Sequence, residues 1–144
     1  MASCTFFGHS DAPEQIFMHL KATIEELISK KDVDKFYVGN NGCFDFMVRR
    51  ALTELKKIHP HIDYAVVLAY MPKEFGGFDY SDTIYPEGLE SAPLKFAIDK
   101  RNRWMISQCD YVVTYVTKVV GGAFKYKSIS KSKGKIILEL SETI

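Results

Sequence analysis

Lys35-Phe36-Tyr37-Val38-Gly39-Asn40-Asn41-Gly42-Cys43-Phe44-Asp45 is the stretch whose grammar decides the fold. Its β-prone start runs into four residues that tolerate positive φ or cap helices. A helical face follows at Phe44, Val48, Ala51, Leu52 and Leu55. A strand feeding a helix through so tight a turn is the unit of a parallel α/β sheet.

The same grammar repeats outward. Cys4-Thr5-Phe6-Phe7 ends in Gly8-His9-Ser10-Asp11, Pro13 suits a first helical turn, and Ile16, Leu20, Ile24, Leu27 and Ile28 recur at helical spacing. On the other side, Tyr64–Ala69 is a nearly continuous apolar run, as expected of a strand covered on both faces. Pro93–Cys109 and Gly121–Lys131 read as helices, and Tyr111–Val116 and Lys135–Leu140 as strands. The order βαβαβ-loop-αβαβ predicts an α/β three-layer sandwich with a mainly parallel five-stranded sheet, in one domain over residues 1–144. Tyr70 to Ser91 is rich in Gly, Asp, Tyr and Pro without a period, which suggests a lid or ligand-contacting loop where Tyr80 and Tyr85 could stack on a base.

With 144 residues, 47% of them hydrophobic, the chain can bury one core without disulfides. Its 19 basic and 18 acidic side chains leave a formal charge of +1, which gives no global field for gripping duplex DNA and argues against a nucleic-acid partner. Phosphate recognition would have to be local. Cys4, Cys43 and Cys109 are odd in number and form no CxxC pair, so neither a disulfide framework nor a cysteine zinc site is indicated. No segment approaches the roughly 18 apolar residues of a membrane helix, and a cytoplasmic protein is expected. No spacing calls for a metal or cofactor; His59 and His61 lack a third ligand and read as a surface turn.

In an open parallel sheet the ligand sits beyond the carboxyl ends of the strands, so the residues after each strand matter most. Gly8, His9, Ser10 and Asp11 offer backbone N–H groups and an imidazole, or form an ordinary capped helix start. Gly39, Asn40, Asn41 and Gly42 let a ligand approach the backbone with Asp45 in the following first turn, or form a plain strand-to-helix turn. Asn102 interrupts an apolar helical stripe of Ile98, Met105, Ile106 and Cys109 and needs a partner. Arg101 beside it has the fork that suits phosphate or carboxylate, or is a solvated surface arginine. Gly121, Gly122 and Ala123 open the last helix with unhindered N–H groups where a phosphate could dock.

Taken together, FFGHSD (6–11), FYVGNNGCFDFMV (36–48), DKRNRWMISQCDYVVTYV (99–116) and GGAFK (121–125) resemble the SLOG superfamily over almost the whole chain. The superfamily includes the "lonely guy" phosphoribohydrolases, the DNA-processing Smf proteins and small uncharacterised bacterial and phage proteins, and the last group is the most similar. The resemblance implies a Rossmann-like sheet, a nucleotide-sized pocket and a homo-oligomer. It implies that Gly8, Gly39, Gly42 and Asp45 shape one half of the pocket and Arg101, Asn102, Gly121 and Gly122 the other. The phosphoribohydrolase helix start GGxGTxxE carries a glutamate, whereas residues 121–127 here are Gly-Gly-Ala-Phe-Lys-Tyr-Lys.

Three functions follow as expectations. The first is a module that senses or sequesters a nucleotide or nucleotide-derived ligand such as ADP-ribose, with phosphates at Gly121–Ala123 and the Gly39–Cys43 turn and the base or ribose near His9 and Asn102. The second is an N-glycosidic hydrolase or transferase using Asp45 and Arg101, or Asp79, Asp82 or Glu87, in place of the missing glutamate. The third is an interaction protein that uses the fold without its pocket.

Overall fold

A computed structural model describes residues 2–40, 42–69, 83–84 and 94–142. The elements in chain order are β1 (Ala2–Gly8), α1 (Phe17–Lys30), β2 (Val33–Val38), α2 (Gly42–Ile58), β3 (Asp63–Val67), β4 (Thr83–Ile84), α3 (Leu94–Gln108), β5 (Tyr111–Tyr115), α4 (Gly122–Ser132) and β6 (Ile136–Glu139). All strand pairs are parallel, in the order β4-β3-β2-β1-β5-β6. The expected α/β architecture is present, with six strands among the described residues rather than five. The additional strand, β4, pairs only Thr83 with Val66 and Ile84 with Val67, and two residues are too few to show a period. Tyr80, Tyr85, Asp79, Asp82, Glu87 and most of the segment read as a lid lie outside the described residues.

Successive strand residues point to opposite faces, and each face is apolar because each carries helices. Phe6, Phe36, Val66 and Val113 pack with Leu20 and Ile24 of α1 and with Phe44, Val48 and Leu52 of α2. Phe7, Val67 and Val112 pack on the other face with Met105 and Ile106 of α3 and Tyr126 of α4. Phe6 stacks on Phe36 at 6.1 Å and Phe7 on Tyr126 at 5.3 Å. Every apolar position that marked the first two helices in the sequence is buried. Among the described residues no helix is long and apolar enough to cross a membrane.

Two glycines let the first and second strand-to-helix turns interlock. A Cβ on Gly8 would lie 2.3 Å from the Phe44 ring, so the end of β1 accepts α2 only without a side chain. Gly42 has φ +92°, and a Cβ there would lie 2.6 Å from Ser10 Cβ. The N–H of Cys43 then donates to the Ser10 carbonyl at 2.8 Å.

At the opposite edge, Glu139 closes the sheet. Its side chain is 4% exposed and accepts hydrogen bonds from Thr114 Oγ1 (2.6 Å), the N–H of Val116 (2.9 Å), Lys127 Nζ (2.9 Å) and Ser141 Oγ (2.8 Å). Burial pushes the carboxyl pKa up, but these donors outweigh it and hold it below its ordinary 4.5. The carboxylate thereby ties β6 to β5, to α4 and to the start of the loop between them.

Gly8→Ala should destabilise the fold by about 1–3 kcal/mol through overpacking, and Phe44→Ala by about 3–5 kcal/mol through a cavity. In urea unfolding the double variant should lose less than the sum, because the truncated ring frees the space the new methyl needs. Strict additivity would mean that the two residues do not constrain each other. Glu139→Gln should cost about 2–3 kcal/mol near neutral pH. A depressed folded pKa contributes stability above the unfolded value and loses it as pH falls through the folded one, so the difference in Tm from wild type should shrink below about pH 4.5. A difference independent of pH would contradict an ionised Glu139.

Candidate functional site

The strand order runs outward from β1 in two directions, to β2 on one side and β5 on the other. The connecting helices therefore lie on opposite faces and leave a crevice beyond the carboxyl ends of β1 and β5. The register pairs Gly8 with Tyr115, so the two strands end level. His9, the next residue, consequently faces the loop after β5: its Nε2 accepts the N–H of Thr117 at 3.0 Å, and its ring meets Tyr115 edge-on at 6.2 Å. In the neutral imidazole this acceptor role leaves the proton on Nδ1.

A cavity of about 510 Å3 opens at this point. Gly8, His9, Asp45, Arg101, Asn102, Gly121, Gly122 and Ala123, which the sequence scatters over four stretches, all line it. Ser10, Asp11, Lys118, Val120 and Tyr126 line it as well. The remaining expected residues stand elsewhere. Gly39 and Asn40 are not in its lining but adjoin Arg101. Gly42 borders a separate, shallower cavity, and Asn41 lies outside the described residues.

Arg101 is only 3% exposed, which removes the reading of a solvated surface arginine. Its Nε donates to Asn102 Oδ1 at 2.7 Å, and its Nη1 donates to the carbonyl of Val67 at 3.0 Å and to Asn40 Oδ1 at 3.5 Å. Asn102 thereby has the partner its place in an apolar stripe demanded. A Cβ on Gly39 would lie 2.8 Å from Asp45 Oδ2 and 3.2 Å from Arg101 Nη1, so glycine leaves the space that the carboxylate and the guanidinium share. Burying a guanidinium costs several kcal/mol unless hydrogen bonds and a nearby anion offset it, and both are supplied here.

The wall between α3 and α4 is built on Asp99. It accepts bonds from the Tyr126 hydroxyl (2.7 Å), Arg103 Nε (2.9 Å) and Lys125 Nζ (3.2 Å). Burial raises the Asp99 pKa, yet these donors hold it below its ordinary 3.8. Burial, and then the Asp99 carboxylate itself, push the Tyr126 phenol up to about 12. At the mouth, Gly121 caps α4 with φ +93° and no side-chain hydrogen bond to the helix start. A Cβ on Gly121 would meet nothing within 4 Å, and one on Gly122 only Tyr126 at 4.0 Å. The first turn of α4 thus presents an open backbone beside Lys118, the arrangement that favours an anion.

Lys118, Tyr126 and Asp99 escaped the reading of the sequence. Lys118 had a usable signal, standing in the loop after β5 just ahead of the paired glycines. Tyr126 and Asp99 had none, because their roles come from the meeting of two helices 20-odd residues apart. His59 bonds Glu25 at 2.8 Å with His61 at 6.0 Å ring to ring, and the described residues contain no group of three or more His, Cys, Asp or Glu suited to a metal.

Neither a protein-family model nor a curated protein matches the sequence. Solved structures do match the fold. DNA processing protein A from Streptococcus pneumoniae superposes with a TM-score of 0.71 at 17% identity, over 96% of this chain and 50% of that one. DNA processing protein A from Helicobacter pylori, solved to show its mode of binding single-stranded DNA, does so with a TM-score of 0.67 at 13% identity, over 96% of this chain and 64% of that one. The chain thus spans between half and two thirds of the proteins it resembles, and its fold is Rossmann-like. These neighbours overturn two expectations: a site for sensing or sequestering a nucleotide-derived small molecule, and the exclusion of nucleic acid. The fold is found on proteins that process DNA, and one of them is described by the single strand it holds. The physical error lay in using the net charge of +1, which sums the whole surface, to judge a site whose cations are local.

Proposed function

We propose that this chain binds single-stranded nucleic acid at the carboxyl ends of β1 and β5. One backbone phosphate docks at the open start of α4, held by the N–H groups of Gly122 and Ala123 and by Lys118, and the attached nucleoside lies toward His9 and Asn102. The observation that carries this reading is the convergence on one cavity, at the strand-order reversal, of an uncapped helix start, Lys118 and buried Arg101. Arg101 supplies positive charge beneath the site, fixed in place by Val67 and Asn102. The DNA-processing neighbours supply the ligand class.

The chemistry favours a single strand over a duplex. A cavity of about 510 Å3 suits one nucleotide unit and not a stacked pair of strands. Entry of a base requires it to leave its stack, which costs least where it is already unpaired. Residues 1–144 then act as one nucleic-acid-binding unit of SLOG type, and weak overall charge is no obstacle because each phosphate contact is local.

Two substitutions test the site in opposite senses. Lys118→Ala should weaken binding of a labelled single-stranded oligonucleotide in fluorescence anisotropy and reduce the slope of log affinity against log salt by about 0.7. Gly122→Asp should raise stability by about 0.3–1 kcal/mol, since a carboxylate suits a helix N-terminus, while abolishing binding by occupying the phosphate position. If both variants bind as wild type does, the strand is held elsewhere.

A further inference from the structure

Phe46 stands out of the core: its neighbours Phe44 and Met47 on α2 are buried, whereas it is 62% exposed. Its position relative to the cavity is informative. Asp45, one residue earlier, lines the main cavity, whereas Phe46 lines a second, shallower one of about 420 Å3 together with Ser10, Gly42 and Cys43. Ser10 lines both cavities, so they adjoin. The ridge between them is Ser10 against Gly42, two of the smallest residues, locked by the bond from the Cys43 N–H to the Ser10 carbonyl at 2.8 Å.

We propose that Phe46 is a stacking platform for a second base of the strand, which passes from the main cavity over the Ser10–Gly42 ridge. This inference rests on the single-strand reading above and adds a subsite to it. The second cavity suits a base rather than a phosphate. Its described lining contains no Lys or Arg, and the Arg50 guanidinium is held by Glu14, itself in that lining, at 2.6 Å and lies over the Phe17 ring at 3.7 Å. An aromatic face accepts any base, so the platform adds affinity without sequence preference.

Affinities of wild type, Phe46→Ala and Phe46→Trp for thymidine monophosphate, which fills one cavity only, and for an oligothymidylate of about a dozen nucleotides test the subsite. Sedimentation runs in parallel. Phe46→Ala should lose about tenfold on the oligonucleotide and nothing on the mononucleotide, and Phe46→Trp should restore the oligonucleotide affinity. Wild-type affinity of Phe46→Ala for the oligonucleotide would overturn the platform and leave the single-strand reading standing. Failure of the wild-type protein to bind the oligonucleotide would overturn both. A change in sedimenting mass on Phe46→Ala with oligonucleotide affinity intact would assign the ring to contact between copies of the chain and also overturn the platform.

Discussion

The level ending of β1 and β5 governs everything beyond the sheet. Cys4 pairs with Tyr111 and the register holds to Gly8 opposite Tyr115. Phe6 and Val113 are thereby turned toward α1 and α2, and Phe7 and Val112 toward α3 and α4. A slip of one residue would exchange those faces and carry His9 away from Thr117. Both faces are buried under helices and carry different side chains, Thr5 and Thr114 among them, so the slip would misplace every packed group, and the register in turn delivers the turn after β1 and the loop after β5 to the same crevice. The cavity is thus a consequence of core packing rather than of any residue in its lining.

Within that frame, three buried or half-buried charges tie the loops and helices around the crevice to the sheet and to each other. Glu139 grips the N–H of Val116, and His9 the N–H of Thr117, so the loop carrying Lys118 and Gly121 is pinned at two successive residues. Asp99 ties α3 to α4 through Tyr126 and Lys125, and Arg101 ties α3 to the end of β3 through Val67. Buried ions of this kind are poor evidence for stability, since apolar replacements often serve the fold as well. Their effect here is placement: His9, Arg101 and Tyr126 line the cavity themselves, and the loop that Glu139 holds leads to Lys118 in its lining.

The extent to which this could be read from the sequence follows from the range of each interaction. Helical spacing at Leu20, Ile24 and Leu27 and at Val48, Leu52 and Leu55 is local, and the layered α/β class follows from it. The glycine-rich turns stand out in the sequence, but the partners of Gly8, Gly39 and Gly42 are Phe44, Asp45 with Arg101, and Ser10, all brought together by folding. Asn102 announced its need for a partner, yet only the structure shows that its neighbour Arg101 meets it. Glu139 and Asp99 gave no sign, because their donors arrive from other elements. Strand β4 was too short for a pattern. The exclusion of nucleic acid came from treating a summed charge as if it were a local field.

Amide chemical shifts recorded during titration with an oligothymidylate test the central claim most directly. The account predicts that the largest changes fall on Thr117, Lys118, Gly122 and Ala123, with smaller ones at His9 and Ser10 and none along the far ends of the strands. Saturable binding whose shifts spare the start of α4, or no binding by the single strand at all, would contradict it.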